Sequence, residues 1–136
     1  GNIPSIGEVA PVTPANRSLA TLRAAGWVGD IVERWIGGGA FKVRKDFLGF
    51  ADLVMLRSLP GFHGIALAVQ ASSGSNVSHR LEKMRETPGA LAWLEAGGEI
   101  EIHGWAKRGA RGKRKVWTCR VVVVTEDVLT QGTDGI

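Results

Sequence analysis

The stretch "GIALAVQASSGSNVSHRLEKM", residues 64–84, reads as a strand, a turn and a helix. Its first seven residues are apolar up to Gln70, as expected for a strand at the centre of a sheet. Ser75 or Asn76 then caps a helix running to about Arg85, stopped by Thr87–Pro88. Val77, Leu81 and Met84 form its apolar stripe. A glutamine closing so apolar a strand needs a partner, because a buried amide without one is costly.

Working outward, "ADLVMLR" (residues 51–57) is a second strand and "SLPGFH" the turn between them. Upstream, Asn16 caps a helix with Leu19, Leu22 and Ala25 on one face, closed by Gly26. "WVGDIVERWI" fits a helix or a strand. Gly26 and Gly29 weaken a continuous helix, so a strand is expected. "GGGAFKVRKDFLGF" is a glycine-bounded loop or hairpin carrying Lys42, Arg44, Lys45 and Asp46. Downstream come a short helix over residues 89–96, an alternating strand "EIEIHGW", and a last strand "VWTCRVVVV". This order predicts one α/β domain, a central mixed β-sheet flanked by helices. Residues 1–15, with three prolines, read as a flexible arm, residues 16–126 as the domain, and residues 127–136 as a polar tail that frays.

The chain has 136 residues, 44% hydrophobic and 22% charged, which excludes a disordered chain and suits one domain. Its single cysteine, Cys119, excludes an intrachain disulfide, fits a reducing, cytoplasmic setting and reads as a small core residue. No zinc-type Cys/His spacing occurs, no apolar run approaches the ~20 residues of a membrane span, and no signal peptide is visible. The net charge of +4 is unevenly placed. Between Ala106 and Arg120 the bases are Lys107, Arg108, Arg111, Lys113, Arg114, Lys115 and Arg120, with no acid among them. Such a turn is either a solvated hairpin tip or a contact for a polyanion, and charge alone favours nucleic acid.

Glu33, Asp46 and Asp52 fall at strand ends or in the connecting loop. An aspartate opening an apolar strand either caps a turn through backbone N–H groups or offers its carboxylate to a hard cation such as Mg2+. In a hairpin the start of one strand lies beside the end of its neighbour, so Asp52 and Gln70 are expected together. Gln70 and Ser72 share a face, and Ala71 offers its carbonyl. Asn76, Arg80 and Lys83 lie on the stripe next to the apolar one, either as a solvated face or aimed at a phosphate. The helix N-terminus, residues 72–76, supplies N–H groups for that phosphate.

Taken together, "VERW", "RKDFLGFADLVML", "GIALAVQASSGSNVSHRLEKM" and "EIEIHGW" resemble the PD-(D/E)XK nuclease superfamily, the restriction-endonuclease-like fold shared with archaeal Holliday junction resolvases. The likeness spans roughly residues 17–105 and is nearest to small phage and bacterial proteins. It implies a Mg2+- or Mn2+-dependent DNA endonuclease, possible in homodimeric form because two cuts need two sites. Asp52 takes the place of the metal-binding aspartate, and Gln70 that of the acid in the E-x-K pair, as in Mrr-like members. The Ala71 carbonyl completes the metal set, with Glu33 and Asp46 as further ligands or base. Ser72 stands where the family has lysine, so the resemblance needs an amine from Lys83, or else Lys45. Arg44, Lys45, Ser73, Asn76, Arg80 and the bases of the 107–115 turn would hold the DNA backbone. If no amine reaches the metal, the resemblance implies a DNA-binding accessory protein with an inactive site. A third expectation is an assembly protein whose basic hairpin contacts a protein or an RNA.

Overall fold

Thr13 is extended (φ −86, ψ 162) and its Oγ1 accepts the Asn16 N–H at 3.1 Å, so the first helix, α1 (Pro14–Ala24), starts earlier than Asn16. Proline at the first helical position forgoes only an N–H that would have no partner. The computed structural model describes residues 12–41, 43–61 and 63–131. Residues 1–11 of the expected arm, residues 132–136 of the expected tail, and Lys42 lie outside the described residues. The end of the arm is corrected: residues 14 and 15 belong to α1. Ala25 caps the helix and is exposed, rather than sharing its apolar face.

The ambiguous segment is extended, as β1 (Val28–Ile31) and β2 (Arg34–Ile36), broken at Val32–Glu33. β2 pairs with β3 (Val43–Lys45) in a separate two-stranded hairpin. β4 (Leu53–Arg57) lies between β1 and β5 (Ile65–Ser73), antiparallel to both. After β5 a single 3-10 turn (Gly74–Asn76) leads into α2 (Val77–Arg85) and then α3 (Pro88–Glu95). These carry the chain over to β6 (Glu99–Arg108), parallel to β5, and β7 (Val116–Val124) returns antiparallel along β6. The main sheet has the order β1-β4-β5-β6-β7. A parallel pair needs such a crossover, and the two helices supply it.

Two corrections concern β5 and the tail. Gln70 does not close its strand. The parallel register runs on through Ser72↔Gly104 and Ser73↔Trp105, so the N–H groups of residues 72 and 73 lie in strand and not at a helix N-terminus. Beyond Thr125 the chain forms α4 (Glu126–Thr130) instead of fraying. The Thr125 Oγ1 accepts the Val128 N–H at 3.2 Å, and Arg85 of α2 donates twice to the Val128 carbonyl.

Strand alternation sends residues to two cores. On one side Leu53, Met55, Leu67, Val69 and Ala71 pack on Ala15, Leu19 and Leu22 of α1. On the other, Ala68, Ile100, Ile102 and Val124 meet Val77, Met84, Ala90 and Leu129 of the three later helices. Gly104 permits this close approach, since a Cβ there would lie 2.5 Å from Val77 Cγ2. Cys119 is half-buried on β7 and burial pushes its thiol up to about 11, so it stays protonated. No helix among the described residues is long and apolar enough to cross a membrane.

A buried polar chain ties α1 to β6. Trp105 Nε1 donates to Ser18 Oγ at 2.9 Å, and Ser18 Oγ lies 2.8 Å from His103 Nδ1. His103 Nε2 lies 2.8 Å from Glu101 Oε1. A carboxylate only accepts, so Nε2 carries the proton, Nδ1 accepts from Ser18, and each group is satisfied. Ser18→Ala therefore strands the Trp105 N–H and His103 Nδ1 together. At about 1–3 kcal/mol for each buried group left unpaired, urea unfolding should show a loss of roughly 2–6 kcal/mol. A loss below half a kcal/mol would show that the chain holds nothing.

Candidate metal centre

The turn between β3 and β4 brings two acids face to face. Phe47 and Ala51 exchange backbone hydrogen bonds of 2.8 and 3.0 Å. Asp46 and Asp52 flank this bridge, so the antiparallel pattern sets them opposite one another. Closing so short a turn puts Leu48 at φ +53 and Gly49 at φ +84. A left-handed leucine is a strained residue, costing on the order of 1–3 kcal/mol. Gly89 packs against it, and a Cβ there would sit 2.4 Å from the Leu48 carbonyl oxygen.

Asp52 is fastened on every side. Its N–H donates to the Val69 carbonyl and its carbonyl accepts the Val32 N–H, both at 2.8 Å. The β4–β5 register ends at Leu53↔Val69, while β5 continues to Ser73. The Ala71 N–H, facing the edge that β4 has left, donates to Asp52 Oδ2 at 2.8 Å. The Gln70 side chain donates its Nε2 to the same oxygen at 3.1 Å. Asp52 is 3% exposed, and its Oδ1 is buried with no hydrogen-bond partner.

Glu33 arrives because β1 ends at Ile31↔Leu53, leaving Val32 bonded to Asp52 and Glu33 next in line. The β2–β3 pairing sets Trp35 opposite Arg44, and Arg44 Nε lies 3.4 Å from Glu33 Oε2. That contact is a charge pair without hydrogen-bond alignment, and Glu33 Oε2 stays buried and unbonded. Carboxylate oxygens of Glu33, Asp46 and Asp52 all lie within 4.8 Å of one another.

Burial raises the Asp52 pKa from the ordinary 3.8 to about 7. The Ala71 N–H and Arg44 hold it down, while Asp46 and Glu33 push it further up.

These groups open on a cavity of about 280 Å³. Of the residues expected at the site, Glu33, Arg44, Asp52, Ala71, Ser72, Ser73, Asn76 and Arg80 line it. The Nε of Arg80 is buried without a hydrogen-bond partner. The Ala71 carbonyl shares its N–H's side of the strand. Ser72 is buried and its hydroxyl donates to the Ser73 carbonyl at 3.1 Å. Gln70, Lys83 and Asp46 instead line a neighbouring cavity of about 50 Å³, with Arg80 on the wall between. Two expectations are therefore corrected. Gln70 meets Asp52 through its amide N–H and so supports the carboxylate, rather than offering it a fellow oxygen ligand. Lys83, three residues and just under one helical turn from Arg80, does not line the Asp52 cavity, whereas Arg80 does. Lys45 lines a third cavity together with Asp46.

Lys107 and Arg108 extend β6 past the end of β5, and Arg111, Lys113, Arg114 and Lys115 form the exposed tip beyond. Since Ser73 pairs with Trp105, the basic hairpin leaves the sheet at the same end as the cavity. The α1 N-terminal turn, Thr13 to Ala15, is a wall that the sequence reading missed. Its Thr-Pro pair was a readable start signal.

An acid bound to its proton more tightly when folded makes stability fall as pH rises between its unfolded and folded pKa values. Without divalent cations, the protein should lose stability between about pH 4 and about pH 7. Asp52→Asn should flatten that fall in urea titrations, and an equal fall in both proteins would return Asp52 to ordinary behaviour. No protein-family model, no curated protein and no solved structure matches this chain, so the case for its chemistry rests on these residues.

Proposed function

We propose that the chain is a metal-dependent DNA endonuclease that hydrolyses phosphodiester bonds in the Asp52 cavity. One observation carries this reading. Residues of opposite charge that line a single cavity each carry a buried polar atom with no hydrogen-bond partner: Oε2 of Glu33, Oδ1 of Asp52 and Nε of Arg80. Native structures rarely leave such groups unmet. A ligand that is cationic at one end and anionic at the other, a divalent ion with a phosphate, would answer all of them.

The residues fit Mg2+ or Mn2+, which take oxygen donors from one or two carboxylates and share the rest with phosphate and water. Asp52 and Glu33, with Asp46 beside them, would hold the ion, and the ion would activate water and neutralise charge on the phosphate. Gln70 and the Ala71 N–H orient Asp52. Arg80 and Arg44 would meet the phosphate, helped by Ser73 and Asn76, which line the same cavity. A guanidinium stays protonated, so Arg80 stabilises developing charge but takes no proton. Proton acceptance falls to the carboxylates. The bases of the hairpin add a salt-dependent, sequence-independent grip on the DNA backbone. An intracellular setting and a homodimer belong to the same reading.

One feature favours a second reading, a DNA-binding accessory protein that does not cut. Among the described residues no lysine lines the Asp52 cavity. The two part on a panel of linear, nicked, flapped and four-way DNA with Mg2+ and with Mn2+. The endonuclease reading expects cleavage that Asp52→Ala abolishes while binding stays within a few-fold. Arg80→Ala should lower the rate about a hundredfold, and Lys83→Ala should leave it within about threefold. Binding that weakens steeply with salt, with no cleavage under either ion, would favour the second reading.

A further inference from the structure

β7 is an edge strand, and Trp117 stands on it 45% exposed. An indole left in water among charges is not explained by core packing. The Arg17 guanidinium of α1 lies 3.9 Å from its ring centroid. Lys107, its cross-strand neighbour, lies 5.5 Å from the same centroid. Asn16, Arg17 and Thr21 of α1 form one wall of a groove of about 370 Å³, and Trp105 and Trp117 form the other.

The groove adjoins the Asp52 cavity. The α1 N-terminal turn stands between them, with Thr13, Pro14 and Ala15 toward the cavity and Asn16 and Arg17 toward the groove. Across the sheet, cavity residue Ser73 pairs with groove residue Trp105. The groove also opens onto the basic hairpin, which holds no acid between Ala106 and Arg120.

We propose that the Trp117 groove is a stacking platform for an unpaired base, so that the DNA taken by the Asp52 cavity carries a single-stranded segment beside the scissile phosphate. This rests on the nucleic-acid reading above. Every base presents a π-face, and an aromatic ring bordered by cations holds single strands without reading sequence. A base inside a duplex is already stacked on its neighbours and has no face to give. Arg17 and Lys107 serve the adjoining phosphates. The Ser18 chain, and not the Arg17–Trp117 contact, fastens α1 to the sheet at this point. The Arg17 guanidinium lies over the indole ring, so a base would take its place there while Arg17 turns to the adjoining phosphate.

The test is fluorescence anisotropy in EDTA with labelled oligothymidylate and with a blunt duplex, over a range of salt. Trp117→Ala should weaken oligothymidylate binding about ten- to a hundredfold and leave duplex binding within about threefold. Trp117→Phe should recover most of the loss. The salt slope should stay unchanged in Trp117→Ala, whereas Lys107→Ala should lower it by about one. Trp117→Leu, which keeps an apolar side chain on the strand, should show the same selective loss and so separates stacking from unfolding. Equal loss on both DNAs, no loss on either, or tighter binding of RNA of the same sequence would overturn the proposal. Because no metal is present, failure here is separate from failure of the cleavage site. Cleavage with Trp117-independent binding sinks this inference alone, and Trp117-dependent binding without cleavage sinks the endonuclease reading alone.

Discussion

The hydrogen bond from the Ala71 N–H to the Asp52 carboxylate closes the sheet at the point where β4 stops and β5 goes on. A strand that outruns its neighbour exposes a backbone donor, and a buried donor must be met. Here a side chain meets it, and that choice pulls a carboxylate into the interior. Glu33 and Asp46 then come with it, because β1 ends against the same residue and the 47–51 turn closes onto it. Two ionised carboxylates within 4.8 Å of one another repel by about 3 kcal/mol or more at the effective dielectric of a protein. Full ionisation of three is therefore unfavourable without a cation. Burial first, with this repulsion added to it, raises Asp52 to about 7.

The cavity also depends on a second polar device remote from the acids. One of its walls is the first turn of α1, and α1 is located by Ser18 through His103 and Trp105. Trp105 is in turn the register partner of Ser73 on another wall. A chain of buried hydrogen bonds thus fixes the distance between a helix end and the carboxylates. Apolar packing of Leu19 and Leu22 alone would leave α1 freer to slide along the sheet.

Much of the fold was legible because period-two and period-3.6 patterns are local. The Asp52–Gln70 meeting followed from hairpin geometry alone. What failed depended on long-range partners or on composition weighed too heavily. Ser72 and Ser73 look like a turn, and only pairing with residues 104 and 105 makes them strand. Proline-rich residues 1–15 suggested an arm and hid the Thr13–Pro14 start signal. Polar composition after Thr125 hid an equally plain cap followed by two acids. His103 looks like one more alternating residue, since its partner Ser18 is 85 positions away. Arg80 and Lys83 are three residues apart on α2. A stripe drawn on a helical wheel cannot choose between them, because the roll of α2 against β6 decides which faces the acids.

That roll bears on the departures from the resemblance. Ser72 and Gln70 stand where the resemblance expects a lysine and an acid. In the proposed reading these two residues belong together with Arg80. With Asp52 protonated, the remaining charges of Glu33 and Asp46 balance those of Arg44 and Arg80, so the cavity is near neutral without metal. A divalent ion that displaces the Asp52 proton leaves a single positive excess, which the single charge of a phosphodiester answers. A carboxylate in place of Gln70 would cancel that excess and would also repel Asp52 from 3.1 Å away. In that reading the neutral amide keeps the positive excess for the phosphate and spares Asp52 a second charge at close range.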